Sequence, residues 1–284
     1  MPYKIIKGKY HVSGYSPDGD TIRFQPDNVQ LLDSIRGPND RLQINSKQHV
    51  SLRFDGVDAP ETHYSRNHQP KELGDKATDF VTDSLGITNI VWNDNRSRVA
   101  SADDGIPGYI LTRFKDLYGR IISFVFAGDT SESDGDDVFL DTTKVKESIN
   151  YKLLETGLGY PAYYDGLFPD LRESMTSAVK QSRGAKTNVW STDKTHSVNV
   201  SSISSITEEH MVFPKLFRRL VSYFDAGNNT LDEFESFMED RNDRLLLLYS
   251  RQTAFFDDLI RVDKEDNNLS MNVLPESIVF QPRT

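Results

Sequence analysis

The sequence predicts an α+β chain, rich in short strands over its first half and carrying a helical unit at its C-terminal end. Three observations lead there. Val50, Leu52 and Phe54 place apolar side chains at every second position, the period of a half-buried strand. Leu73, Ala77, Phe80 and Val81 recur at helical spacing ahead of Gly86, a residue type that commonly closes helices. Around residues 192–207 the composition turns to Ser, Thr, Val and Asn, which marks off a second unit.

In order along the chain, residues 3–14 and 20–25 read as strands about the turn Ser16-Pro17-Asp18-Gly19. Residues 26–48 read as an inserted polar loop, and 49–57 as the next strand. A helix is expected over 72–85 and a short strand over 89–92. Residues 109–113 and 120–127 form a hairpin around 115–119. The acidic, glycine-bearing run 129–137 reads as a solvated loop. Further helices are expected over 144–156, closed by Gly157, and over 170–185. The first domain is thus 1–193, followed by a linker over 194–207 and a mainly helical unit over 208–284. In that unit 213–224 and 240–262 are read as amphipathic helices, and Thr230 with Glu233 has the spacing of a capping box.

Composition excludes several function classes. The 284 residues contain no cysteine, so disulfide frameworks, thiolate metal sites and cysteine nucleophiles are ruled out. The 16 Phe and 12 Tyr can fill a core. A net charge of −10 argues against a simple electrostatic clamp on nucleic acid, but it does not exclude an enzyme that holds a divalent cation in a local cluster of carboxylates. The six histidines show no paired spacing for zinc. Asp225-Ala-Gly-Asn-Asn229 looks like the start of a calcium loop, but its sixth position is Thr230 and its twelfth Ser236, which excludes an EF-hand. There is no apolar run of signal-peptide or membrane-spanning length. The expected location is therefore intracellular, or outside the cell as a processed secreted form.

Three short motifs carry chemistry. Asp18-Gly19-Asp20-Thr21 brings two carboxylates about a glycine, an arrangement open to a hard cation and equally to a hairpin turn. Arg53-Phe-Asp-Gly-Val-Asp58-Ala59-Pro60-Glu61-Thr62 ends a strand with acidic groups. Pro60 biases Ala59 toward extended geometry, which can turn the Ala59 carbonyl outward as a neutral ligand. A polar strand end running into a loop is the alternative. In Asp116-Leu117-Tyr118-Gly119-Arg120 a glycine turn sets Arg120 at the start of a strand, where a guanidinium can fork onto phosphate. A solvent-facing hairpin turn fits that motif as well.

In order, these motifs are followed by Gly-Leu-Gly-Tyr-Pro-Ala-Tyr163 and Asn-Val-Trp-Ser, and the whole series resembles the staphylococcal nuclease-like (thermonuclease) family over roughly residues 8–193. The resemblance implies a five-stranded OB-fold Greek-key barrel with three helices. It also implies a Ca2+-dependent endonuclease that hydrolyses DNA or RNA, single-stranded or frayed by preference, and leaves 3′-phosphates. By the same resemblance Asp20 and Asp58 match metal-ligand carboxylates, and Asp18 an acidic residue acting on the metal through water. Ala59 matches a carbonyl ligand. Glu61 matches the residue that orients or deprotonates the attacking water, and Arg53 and Arg120 the pair gripping the scissile phosphate. Tyr118 and Tyr163 match tyrosines lining the nucleotide pocket. Two departures bear on affinity: Leu117 stands where the family has a phosphate-contacting lysine, and Asp165 where it has a second pocket tyrosine.

A different reading is a non-catalytic barrel module that binds single-stranded nucleic acid or a protein partner; the full acidic and basic set argues against it. Residues 208–284 carry nine Lys and Arg against fifteen Asp and Glu, a poor nucleic-acid arm. That unit is expected to act as an inhibitor-like cover, an oligomerisation module or a docking platform. Residues 213–224, basic and amphipathic, would pack on their own domain, a partner groove or a membrane surface.

Overall fold

Alternation along the strands decides the first sheet. The computed structural model describes residues 2–281, and they fall into two compact units. The first runs up to Val57 and resumes over Lys76–Leu153; the second joins Asp58–Asp75 to the chain from Leu154 onward. Elements of the first half are β1 (Tyr3–His11), β2 (Thr21–Pro26), β3 (Val50–Phe54), β4 (Gly56–Asp58), α1 (Lys71–Leu85), β5 (Thr88–Trp92), β6 (Val99–Asp103), β7 (Ile106–Lys115), β8 (Ile121–Ala127), β9 (Asp137–Val138) and α2 (Ile149–Glu155).

In the first unit the strands run in the order β2-β3-β8-β7-β1, and pairing of β2 with β1 closes them into a five-stranded barrel. β3 and β8 are parallel, with Leu52 beside Ile121, while β1–β2, β2–β3, β7–β8 and β1–β7 are antiparallel. Ile22 and Phe24 of β2, Leu52 and Phe54 of β3, and Ile110, Phe124 and Val125 of β7 and β8 are buried. Thr21, Arg23 and Gln25 on the opposite face of β2 are only part-buried, as a one-sided sheet requires. Gly8 and Gly108 face each other across β1 and β7. A Cβ on Gly8 would lie 2.1 Å from the Gln25 carbonyl oxygen, and one on Gly108 would lie 2.3 Å from the Tyr10 ring. Only glycine permits strands and ring to approach so closely. Asn150 of α2 accepts from Val125 N–H at 2.9 Å and donates to the Asp55 and Ser123 carbonyls at 2.9 Å each. This buried amide fixes the end of β3, from which the acidic loop departs.

The second unit contains β10 (Tyr160–Ala162), α3 (Pro169–Gly184), α4 (Val189–Thr192), β11 (Val198–Asn199), α5 (Pro214–Asp225), α6 (Phe234–Glu239), β12 (Arg244–Leu247), β13 (Gln252–Phe255), β14 (Ile260–Asp263), β15 (Asn268–Met271) and β16 (Ile278–Phe280). Two small sheets form, β13-β12-β16 and β11-β15-β14. Phe213, Phe217, Phe234, Phe256 and Phe280 build an aromatic core between helices and sheets, with the Phe213 and Phe280 rings stacked at 6.3 Å. No helix among the described residues is long and apolar enough to cross a membrane.

Two expectations change here. The segment 240–262, read as a helix, is chiefly the strands β12, β13 and β14, so the C-terminal part mixes helix and strand. The leucines at 245–248 carry no period of their own; pairing with β13 and β16 selects the extended form. The segment 194–207, read as an exposed linker, carries β11 and buries Val198, Val200 and Ile206. Its polar residues serve turns and the sheet with β15.

Candidate active site

In the first unit, the turn before β2 places the Asp-Gly-Asp motif. Asp18 Oδ1 accepts from Asp20 N–H at 3.2 Å, an Asx arrangement that shapes the turn. Asp20 is buried, and its carboxylate pairs with the Arg53 guanidinium. Its backbone carbonyl also accepts from Phe54 N–H at 2.9 Å. Thr21 and Arg53 face each other across β2 and β3, so the pairing register itself brings carboxylate and guanidinium together.

Arg120 is set by the turn between β7 and β8. Gly119 lies at φ +83°, which a side chain would strain. Asp116 organises the turn: Oδ1 accepts from Tyr118 and Arg120 N–H at 2.9 Å each, and Oδ2 accepts from Arg120 Nε at 2.7 Å. The expected inserted loop covers this turn, through Asn39 Nδ2 donating to the Leu117 carbonyl and Gln43 N–H donating to the Gly119 carbonyl. Tyr118 is 59% exposed, and the Arg120 guanidinium lies 5.8 Å from its ring centroid.

The remaining acidic residues belong to the second unit. Asp58 is 1% exposed, and it faces a residue that the sequence reading left without a role. Arg218 of α5 donates from Nη1 to Asp58 Oδ1 at 3.1 Å and from Nη2 to Oδ2 at 2.8 Å, and Nη1 also donates to Glu61 Oε1. The planar fork of a guanidinium matches a carboxylate in this way. Burial alone would lower the Arg218 pKa, but the Asp58 and Glu61 carboxylates outweigh it and hold it well above the usual value.

Two more contacts hold the same loop. Gln69, buried, accepts from Glu61 N–H at 3.1 Å and donates to the Val212 carbonyl at 2.7 Å. Tyr64 and Ser222 share a hydroxyl hydrogen bond at 3.0 Å. Residues 58–69 are therefore fastened along α5 by charge and by neutral hydrogen bonds.

Tyr163 departs from the expectation that it lines a nucleotide pocket. It is fully buried, its hydroxyl lies 3.0 Å from Thr176 Oγ1, and its carbonyl accepts from Phe280 N–H at 2.8 Å. Packing of β16 against this segment turns it into core and leaves no ring face for a base.

Arg218 was missed because its partners lie 160 and 157 residues away in sequence. A signal for it existed: Lys215, Arg218 and Arg219 crowd one helix in an otherwise acidic segment. Lys215 Nζ lies 3.5 Å from Asp243, which also pairs with Arg219, so each cation of that helix meets a carboxylate.

Oxygen donors of the kind a hard cation takes stand at Asp18 and Asp20 in the first unit and at Asp58 and Ala59 in the second. Among the described residues no group of three or more His, Asp or Glu side chains is gathered to hold a metal ion. Asp58 and Glu61 instead direct oxygens at one positive charge, which is the Arg218 guanidinium. Both carboxylates are thus engaged by a guanidinium.

A barrel closed by five strands, with arginines and carboxylates at strand ends and turns, defines a nuclease-type or nucleic-acid-binding module. The family model described as staphylococcal nuclease homologue matches residues 51–192, half of the 284-residue chain, and the chain belongs to that family. The matched residues include Arg53, Asp58, Glu61 and Arg120, while Asp18 and Asp20 precede them. No curated protein matches the chain.

Proposed function

We propose that the protein is a Ca2+-dependent phosphodiesterase that cuts DNA or RNA as an endonuclease and leaves 3′-phosphates. The observation that supports this most is that Asp58 and Glu61 aim their oxygens at a single cation. Asp20, Asp58 and the Ala59 carbonyl would hold calcium, with Asp18 acting through water. A bound calcium ion supplies positive charge for the anionic transition state.

The chain's own residues do the rest. Glu61 orients the attacking water and accepts its proton. Arg53 and Arg120 face the equatorial oxygens, where charge builds as the P–O5′ bond breaks. Arg120 uses Nε for Asp116, and this holds the guanidinium in place while its terminal nitrogens meet phosphate. Exposed Tyr118 offers a ring face for an unpaired base.

The Arg218 pairing favours a second reading, a module that binds nucleic acid without cutting it because its carboxylates are already neutralised. Nicking of denatured DNA decides between them, measured with calcium, with chelator, and with Arg218→Met. Calcium-dependent nicking by either protein supports the enzyme. Binding without nicking in both supports the module.

A further inference from the structure

The outward face of β2 and β3 holds a feature that the catalytic set does not use. A cleft of about 310 Å³ opens there, lined by Tyr15, Ser16, Thr21, Arg23, Ser51 and Arg98, and no Asp or Glu is among its lining residues. In a chain of net charge −10, a two-arginine cleft without a carboxylate is an unusual local balance.

Both cations are held in place. Arg23 lies over the Tyr15 ring, 5.3 Å from its centroid. Tyr15 is itself fixed, its hydroxyl accepting from Asn45 Nδ2 at 2.7 Å and lying 3.0 Å from His49 Nδ1. Arg98, next to β6, donates from Nε to the Gly14 carbonyl at 2.7 Å. Burial pulls the Arg23 pKa below its usual value, with Tyr15 opposing, as expected where desolvation is not offset by an anion.

Register relates this cleft to Arg53. Thr21 faces Arg53, and Arg23 faces Ser51. Arg23 is therefore the diagonal neighbour of Arg53 on one face of the β2–β3 pair, a separation of ~7–8 Å. One nucleotide of an extended strand covers a comparable length. The corresponding face of OB-type barrels is where oligonucleotides lie.

We propose that Arg23 and Arg98 form a phosphate subsite for single-stranded nucleic acid, taking the phosphate next to the one held by Arg53. Thr21, Ser51 and Ser16 line the same cleft with hydroxyls suited to phosphate oxygens. The subsite rests on the reading that the barrel engages nucleic acid. It adds a direction to that reading: the strand runs along β2, away from Arg53.

The test is binding of fluorescein-labelled dT12 to the full chain in chelator, followed by anisotropy over a range of salt concentrations. The double variant Arg23→Gln/Arg98→Gln is expected to bind at least tenfold more weakly at low salt. Its slope of log affinity against log salt should be shallower by about 1.4, since each single-strand phosphate contact contributes ~0.7. The Arg23→Lys/Arg98→Lys variant should keep most of the slope, and circular dichroism checks the fold of both. Unchanged affinity and slope in the Gln variant would overturn the subsite alone. Failure of the unaltered chain to bind dT12 would overturn the nucleic-acid reading and the subsite with it. Loss of inorganic tripolyphosphate binding with dT12 binding intact would assign the cleft to a free polyphosphate, and would equally overturn the proposal.

Discussion

Arg218 and Asp58 meet through two parallel hydrogen bonds, at 3.1 and 2.8 Å, across 160 residues of sequence. Asp58 is 1% exposed, so removing the guanidinium takes two charge-assisted hydrogen bonds from a buried carboxylate. Arg218→Met is expected to cost about 3–5 kcal/mol of stability in chelator. Calcium should restore part of that loss, while the unaltered chain gains less from calcium because Arg218 already neutralises the pair. Calorimetric melting of both proteins, with calcium and with chelator, checks this. Equal calcium-induced shifts in the two would show that Arg218 and the ion do not compete.

The catalytic assignment is tested by conservative changes. Arg53→Lys and Arg120→Lys keep a charge but lose the fork that grips two phosphate oxygens. Glu61→Gln keeps the shape but cannot accept a proton, a role that contributes ~10²–10⁴-fold. Each should lower the rate of calcium-dependent cleavage by about a hundredfold or more with the fold retained by circular dichroism. Near-normal turnover in all three would place the chemistry elsewhere.

Lys215 gives the molecule a pH signature. Burial lowers its pKa from 10.5 to about 8, against the pull of Asp243. Between pH 8 and 10.5 the unfolded chain binds a proton that the folded chain does not, so this residue makes stability rise with pH over that window. Below pH 8 the folded protein carries the full burden of a buried ammonium. Denaturant midpoints for the unaltered chain and Lys215→Met, taken from pH 7 to 10.5, should converge as pH rises. Parallel curves would mean that Lys215 titrates at its ordinary value.

The first domain read from the sequence ends at Asp193, which implies that a chain ending there folds by itself. Contacts inside the second unit point the other way. Arg183 Nη1 donates to Glu276 at 2.8 Å, Tyr160 packs edge-on to Phe213 at 6.0 Å, and Phe280 N–H reaches the Tyr163 carbonyl. Truncation would strip this core from one side and expose apolar surface. The shortened protein is expected to self-associate and to bind a hydrophobic dye. A monodisperse, active fragment on size-exclusion chromatography would refute this.

The barrel was legible because its signal is local. Val50, Leu52 and Phe54 alternate, and Gly119 demands a turn, whatever happens elsewhere in the chain. The Asp20–Arg53 pair was half legible: the motif named both residues, and strand register supplied the contact. What could not be read is what depends on long-range pairing. Leu245 and Leu247 become strand residues only when β13 and β16 lie beside them. Tyr163 became core because β16, more than a hundred residues later, packs on it. Nothing adjacent to Arg218 in sequence names Asp58 or Glu61.

The second unit is assembled from pieces that are synthesised far apart. Asp58 and Glu61 leave the ribosome about 160 residues before Arg218 can reach them. At ~5–20 residues per second, that interval is roughly 8–30 s. The loop spends that interval without the pairing to α5 that it has in the finished protein. The second unit therefore closes only after its C-terminal half has been made.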